Sequence, residues 1–224
     1  MGIEAVIFDL DGTLIDSRLR SEDAKRDFLR NLRDRGIDPG RISSRKPAEL
    51  IITYLERYRA VDRGFLRRVL EESFKPYEVE AAEKASLRPG ARKVLTKLRL
   101  IGYRIALVSN NSRTCINRVM ERLDLENLFD IIVSREDVRR LKPHEEPILK
   151  AVDRLKSAPW RSLYVGDSIV DVIAGKRAGT HVVALADIMS SDNPPTENSH
   201  HPDYIIEKLE DLLEVVRLLE KRDF

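Results

Sequence analysis

The chain has 224 residues, 42% hydrophobic and 35% charged, which allows one globular domain or a core with a smaller second domain. A net charge of only +2, with both signs interspersed, argues against a nucleic-acid partner, and a single cysteine, Cys115, excludes an intramolecular disulfide. No apolar run has membrane-spanning length and no basic region precedes the first one, so we expect a cytoplasmic protein without a membrane partner.

The first predicted element is a strand over residues 3–8, and Asp9-Leu10-Asp11-Gly12-Thr13-Leu14 follows it directly. Side chains two residues apart in an extended chain point the same way, so Asp9 and Asp11 can face one small volume. Gly12 permits a sharp turn there. Two converging carboxylates repel each other unless a cation or a shared proton relieves the repulsion. This cost indicates a functional site rather than a purely structural turn. For this segment alone, an ordinary Asp-Gly turn is the alternative interpretation.

A charged, helix-rich region follows, from about residue 16 to residue 86, with no strong strand pattern. Helices are predicted near residues 18–35, 47–59, 63–75 and 77–85. We interpret residues 16–86 as an inserted, all-helical cap domain. Its loop Arg45-Lys46 is a candidate for presenting cations to an anionic substrate, and a solvated helix start is the alternative.

From residue 87 onward, apolar strands alternate with helices. Strands are predicted at 103–109, 131–134, 162–165, 181–185 and 203–206, and helices at 89–101, 113–123, after Pro143, at 169–178 and at 207–221. This alternation predicts an α/β fold, with a Rossmann-like parallel sheet that carries helices on both faces. We assign residues 1–15 and 87–224 to this core. Ligands of such sheets bind beyond the carboxyl ends of the strands.

Three further segments stand at predicted strand ends. Ser109-Asn110-Asn111 precedes a helix, where a hydroxyl and free N–H groups suit a phosphate, although Ser and Asn are also ordinary helix caps. Lys142 is held extended before Pro143 and can present an ammonium from a fixed loop, with a plain surface lysine as the alternative. Asp167 and Asp171 lie one helical turn apart, and two acids exceed what a helix cap requires, so they suit Mg²⁺.

Taken in order, these segments resemble the motifs of the haloacid dehalogenase superfamily, in its phosphatase branch with a helical cap, similar to phosphoglycolate phosphatases. The stretch from Asp9 to Thr13 matches the Asp-x-Asp-Gly-Thr signature, and Ser109, Lys142 and residues 166–171 match the second, third and fourth motifs. The resemblance covers the core essentially throughout, whereas the cap is similar only in position and helicity.

The resemblance implies a role for each of these residues. Asp9 would attack phosphorus and form an aspartyl-phosphate, and Asp11 would protonate the leaving oxygen and then activate water. Thr13 would orient the loop or contact phosphate. The implied cofactor is Mg²⁺, held by Asp9, the backbone carbonyl of Asp11, Asp167 and, directly or through water, Asp171. The groups implied to hold the transferring phosphoryl oxygens are Ser109, the N–H of Asn110 and Lys142.

The implied function is a Mg²⁺-dependent phosphatase that hydrolyses a small phosphomonoester through an aspartyl-phosphate intermediate. A phosphomutase of the same superfamily, similar to β-phosphoglucomutase, would use the same intermediate and is the close alternative. A non-catalytic protein that binds a phosphometabolite is the alternative from another class. The implied partner is a small phosphorylated metabolite selected by the cap. Monomer and homodimer both stay open.

Overall fold

The computed structural model of the chain describes residues 2–186 and 200–221. In chain order its strands are β1 (Ala5–Phe8), β2 (Ile15–Asp16), β3 (Ser86–Leu87), β4 (Arg104–Val108), β5 (Ile131–Val133), β6 (Ser162–Gly166), β7 (His181–Leu185) and β8 (Tyr204–Ile206). Six of them form a parallel sheet in the order β5-β4-β1-β6-β7-β8. Because β1 is flanked by β4 and β6, the carboxyl ends of these three strands meet at the point where the strand order reverses.

Helices cover both faces of this sheet. In the described ranges the helices are, in chain order, α1 (Ser21–Asp34), α2 (Ala48–Arg59), α3 (Arg63–Lys84), α4 (Ala91–Leu100), α5 (Arg113–Arg122), α6 (Glu146–Arg154), α7 (Ile169–Ala178) and α8 (Leu212–Lys221). Of these, α4, α6 and α7 pack directly on strands of the sheet. Successive residues of β1 alternate between two apolar clusters, with Val6 and Phe8 in one and Ala5 and Ile7 in the other. The strand is thus buried on both sides, and the predicted α/β fold with helices on both faces is confirmed.

The first three helices lie between β2 and β3, and we call residues 21–84 the helical insert. β2 and β3 pair antiparallel, with Ile15 opposite Leu87 and Asp16 opposite Ser86. The two connections to the insert therefore run side by side. The insert occupies the place of the predicted cap, and its standing as a separate domain stays a prediction.

The predicted helix break near Pro76 is wrong, because α3 runs unbroken through this position. Proline removes the N–H that would reach the carbonyl four residues earlier, that of Glu72. Both residues lie on the exposed side of α3, where water can take the place of the lost bond. The helix packs against α1 and α5, and this packing outweighs the local preference for a break.

The core elements otherwise begin and end close to their predicted positions, with one larger shift at the last helix. The predicted helix at 207–221 begins as a short 3₁₀ turn, Leu209–Asp211, before α8. The carboxylate of Asp211 accepts from the N–H of Lys208 at 3.1 Å, which caps this turn. Across the described ranges, the structure contains no helix with both the length and the apolar character needed to cross a membrane.

Candidate active site

The carboxyl ends of β1, β4 and β6, together with the loop after β5, border a cavity of about 390 Å³. Its core side is lined by the predicted site residues Asp9, Asp11, Ser109, Asn110, Lys142, Asp167 and Asp171. The remaining predicted site residue, Thr13, is fully buried beside the cavity, and its hydroxyl donates to Asp167 Oδ1 at 3.0 Å. The structure therefore brings these side chains together at one end of the sheet.

Lys142 lies at the centre of a buried charge cluster. Its Nζ donates to Asp9 Oδ1 at 2.5 Å, to Asp171 Oδ1 at 2.7 Å and to the hydroxyl of Tyr164 at 3.0 Å. The side chain of Asn110 holds the Lys142 backbone, donating to its carbonyl at 3.2 Å and accepting from its N–H at 3.0 Å. The ammonium is thus fixed between two carboxylates, and its position depends on the end of β4.

The carboxylates of Asp9, Asp167 and Asp171 each place an oxygen within 4.8 Å of the others. Burial raises the pKa of Asp9 well above its ordinary value, although Lys142 opposes this, and the neighbouring Asp171 and Asp167 add to it. Burial and the charge of Asp171 raise the pKa of Asp167 to about 7. Burial also acts to raise the pKa of Asp171, but the Lys142 ammonium and the hydrogen bonds it receives lower it. Three crowded oxygen donors fit a divalent cation such as Mg²⁺, because its charge would relieve their repulsion.

Two glycines allow these carboxylates to approach the backbone. Gly12 has a φ of +82°, and a Cβ there would lie 2.1 Å from Asp167 Oδ2. At Gly166, a Cβ would lie 2.4 Å from the Cβ of Asp171. Any larger residue at either position would displace a carboxylate of the cluster.

Asp11 has partners outside the Lys142 cluster. Its Oδ2 accepts from Asn111 Nδ2 at 2.5 Å, and its Oδ1 accepts from the hydroxyl of Ser17. Burial raises the pKa of Asp11, and the hydrogen bonds from Ser17 and Asn111 oppose this effect. A carboxyl group with a raised pKa at the edge of a cavity is suited to proton transfer.

The helical insert supplies the opposite wall of the cavity, through Lys25, Pro47, Ala48, Leu70 and Phe74. Arg45 and Lys46 are exposed and do not line it. The structure thus places these two cations away from the cavity, as expected for the alternative of a solvated helix start, and their contact with a substrate stays a prediction. Pro47 and Ala48, the next two residues, form the wall in their place.

The insert is also tied to the segment that carries Lys142. Glu49 of α2 accepts from the N–H of Leu141 at 2.9 Å. Arg63 of α3 forms a buried ion pair with Glu49 and donates to the carbonyl of Arg139 at 3.2 Å. The insert thus contacts, through Glu49, the backbone of Leu141, the residue next to Lys142.

Residues 6–185 match the family model for haloacid dehalogenase-like hydrolases. The chain belongs to this family. It is 30% identical to pyrophosphatase PpaX from Bacillus velezensis over 228 residues, which cover 95% of this chain and 96% of the relative. Among solved structures, it is similar to a HAD-superfamily hydrolase of subfamily IA, variant 1, from Geobacter sulfurreducens PCA, at 25% identity and a TM-score of 0.60, covering 96% of this chain and 100% of the other. A predicted phosphoglycolate phosphatase from Haemophilus somnus 129PT shares the fold, at 21% identity and a TM-score of 0.64, with coverages of 95% and 97%.

The resemblance that the motifs carry is thus confirmed. This member of the haloacid dehalogenase-like hydrolases is a phosphatase enzyme, as its family and its similarity to the relative named pyrophosphatase indicate. The alternative of a non-catalytic binding protein is set aside for the same reason.

Three side chains at the site of this hydrolase are not predicted from the sequence: Ser17, Tyr164 and Arg135. Asn111 is predicted only as part of the segment after β4, without its contact to Asp11. Arg135 pairs with Glu78 of α3, with Nη1 and Oε1 2.8 Å apart, and both residues are buried. Glu78 also accepts from the N–H of Ser112 at 3.3 Å. A signal for this pair exists, because Glu78 stands one helical turn from the apolar residues Phe74 and Ala82. An acid within such a stripe needs a buried partner.

Proposed function

We propose that this hydrolase is a Mg²⁺-dependent phosphatase that cleaves a small phosphomonoester through an aspartyl-phosphate on Asp9. The observation that carries the proposal is the anchoring of the buried Asp9 carboxylate by Lys142, at 2.5 Å from Oδ1, inside the cavity. With Oδ1 engaged, Oδ2 is the oxygen for attack on phosphorus. Lys142 would also hold a transferring phosphoryl oxygen, together with Ser109 and the N–H of Asn110.

The acid cluster supports a Mg²⁺ site formed by Asp9, the backbone carbonyl of Asp11 and Asp167. When bound, Mg²⁺ supplies positive charge that offsets the repulsion between Asp9 and the phosphoryl group. Both oxygens of Asp171 already accept hydrogen bonds within the cluster, so Asp171 would act through a water ligand. The hydroxyl of Thr13 donates to Asp167, so Thr13 would orient the Asp167 carboxylate rather than contact phosphate.

Asp11 would move the protons of both steps. In the first step, Asp9 Oδ2 bonds to phosphorus, the bond from phosphorus to the leaving oxygen breaks, and protonated Asp11 gives its proton to that oxygen. In the second step, ionised Asp11 takes a proton from water, the water oxygen bonds to phosphorus, and inorganic phosphate leaves Asp9. The raised pKa of Asp11 supports its role as the acid, and Ser17 and Asn111 hold it in place.

The names of the relatives suggest substrates to try first. One relative is named a pyrophosphatase and one neighbour a phosphoglycolate phosphatase. Inorganic pyrophosphate and phosphorylated hydroxy acids are therefore the first candidates. Release of inorganic phosphate, without transfer to a sugar and without stimulation by a sugar bisphosphate, separates hydrolysis from the phosphomutase alternative.

Hydrolysis of 4-nitrophenyl phosphate tests the proposal. We expect turnover with Mg²⁺, none after removal of metal by EDTA, and none in Asp9→Asn, which is nearly isosteric but lacks the nucleophile. The matched control is Asp124→Asn, a change at an exposed carboxylate outside the cavity, which should keep full activity. Turnover retained by a folded, uncontaminated Asp9→Asn protein would refute the aspartyl-phosphate, and full activity in metal-free protein would refute the Mg²⁺ requirement.

A further inference from the structure

The basic side chains that line the cavity differ in whether they have an anionic partner. They are Arg18, Lys25, Arg135 and Lys142. Lys142 is paired with Asp9 and Asp171, and Arg135 is paired with Glu78. Arg18 lies 3.8 Å from Asp16, and both are largely exposed. Within residues 2–186 and 200–221, Lys25 has neither a hydrogen bond nor an ion pair.

The surroundings of Lys25 make this lack of a partner unfavourable. The side chain belongs to α1 and is half-buried, and the wall that it shares contains the apolar side chains of Leu70 and Phe74. Burial lowers the pKa of Lys25, and Glu22 of the same helix offsets this only in part. Glu22 lies 3.4 Å from Arg26, with which it is already paired. A desolvated cation without a counter-ion costs free energy, and an anionic ligand would recover it.

We infer that Lys25 binds a second anionic group of the substrate, at the insert side of the cavity. The inference rests on the proposed function and deepens it, since the phosphoryl group to be cleaved would lie across the cavity against Asp9 and Lys142. The substrate class is a small phosphate compound with a further negative charge, carried by a carboxylate or by a second phosphoryl group. A cavity of about 390 Å³ has room for such a ligand. Lys25 would be a specificity-determining residue rather than part of the reacting machinery.

Binding of phosphonates, which cannot be hydrolysed, tests this inference independently of turnover. The probes are 3-phosphonopropanoate, with a carboxylate, methylenediphosphonate, with a second phosphoryl group, and 3-hydroxypropylphosphonate, which lacks the second anionic group. Calorimetric titration in Mg²⁺ would compare the wild type with Lys25→Met, and Lys97→Met serves as the matched control at an exposed lysine outside this cavity. Lys25→Arg keeps the charge and should keep the preference.

We expect the wild type to bind at least one doubly anionic probe more tightly than 3-hydroxypropylphosphonate. Lys25→Met should lower the affinity for that probe by about tenfold, as expected for the loss of one charge-assisted hydrogen bond. Binding of 3-hydroxypropylphosphonate should be unchanged. The probe that responds identifies the second group as a carboxylate or a phosphoryl group.

Equal weakening of charged and uncharged probes in Lys25→Met, or no weakening of any, would overturn the inference and leave the proposed phosphatase standing. A wild-type protein that binds no phosphonate in Mg²⁺ and hydrolyses no phosphate ester would overturn the proposed function, and the inference with it. If Lys25→Met unfolds, Lys25→Gln carries the same comparison, since it also removes the charge.

Discussion

Asp11 differs from Asp9 and Asp171 in that its hydrogen-bond partners are neutral. It receives hydrogen bonds from Ser17 and Asn111, whereas Asp9 and Asp171 bind the Lys142 ammonium. Burial raises the pKa of Asp11 against the opposing hydrogen bonds from Ser17 and Asn111, so its carboxyl can hold a proton in the folded protein. This difference between neighbouring carboxyls supports the proposed roles, proton transfer by Asp11 and attack on phosphorus by Asp9.

Asp11→Asn should therefore slow the enzyme in a way that depends on the leaving group. An alkyl phosphate needs a proton on its departing oxygen, so its phosphoryl transfer should fall by about 10²–10⁴-fold. The aryloxide of an aryl phosphate departs more readily, so the rate of this step should fall much less. Aspartyl-phosphate should then accumulate, because water activation is also lost. Single-turnover quench measurements on both esters provide the check. Equal losses for the two leaving groups would contradict the role of Asp11.

How far single residues can be predicted from sequence depends on whether their signal is local. Short sequence patterns were enough to predict Asp9, Asp167 and Lys142, because the two acids follow predicted strands and the lysine precedes a proline. Tyr164 lies inside a buried strand and is indistinguishable from a core residue until α7 brings Asp171 to its hydroxyl. Lys25 looks like any charged residue of a surface helix, because its lack of a partner is a property of the folded cavity.

At the scale of elements, the buried pair of Glu78 and Arg135 joins α3 of the insert to the core, with Nη1 and Oε1 2.8 Å apart. Arg135→Met would leave the Glu78 charge buried without its counter-ion, and we expect a loss of about 3–5 kcal/mol in the free energy of unfolding. Glu78→Gln in the same protein should recover much of this loss, because Gln is neutral and still offers an acceptor to Ser112. Urea unfolding of the single and double variants measures this coupling.

A matched control exists between the same insert helix and the core. Arg118 of α5 and Glu83 of α3 lie 2.7 Å apart, with more than half of each side chain exposed. Arg118→Met should cost at most about 1 kcal/mol, since solvent screens such pairs. Similar losses in the two arginine variants would contradict the importance of burial for the Glu78–Arg135 pair.

Elements were predictable where pattern and packing agree. The alternation of apolar strands with helices is repeated along the core, so a parallel sheet could be predicted from the sequence, whereas its strand order comes from the structure. Pro76 shows the limit, because its local preference favours a break and the packing of α3 on α1 and α5 overrides it. The short strands β2 and β3 carry only two residues each and form no pattern, so only their pairing in the fold defines them.

At the scale of the whole molecule, the acid cluster makes stability without metal depend on pH. The pKa of Asp167 is about 7 in the folded chain, against an ordinary value of 3.8. Between these values the folded protein holds a proton that the unfolded chain has lost. The contribution of Asp167 to stability is therefore complete below its unfolded pKa and is lost as the pH rises through the folded one. The raised pKa of Asp9 likewise makes stability fall as the pH rises.

We therefore expect the Tm of metal-free protein to fall between about pH 5 and about pH 7, within the interval between the unfolded and folded pKa values of Asp167. Mg²⁺ should raise the Tm more at the higher pH, because binding requires ionised carboxylates. Thermal unfolding in EDTA and in Mg²⁺ gives both measurements. Asp167→Asn should flatten the pH dependence without metal. A Tm that instead rises over this range in EDTA, in the wild type, would contradict the role of the cluster.

The antiparallel pairing of β2 with β3 has a consequence for engineering. The chain leaves the core at Asp16 and returns at Ser86, directly opposite. The whole helical segment is therefore connected to the core in the manner of one long hairpin loop. We expect that another helical segment whose ends lie equally close can be inserted between these positions without changing the pairing of β2 with β3. A chimera made this way would exchange the wall of the cavity that carries Lys25 and keep the carboxylates below it. For its two parts to fit, the transplanted segment must bring an acid to meet Arg135, as Glu78 does.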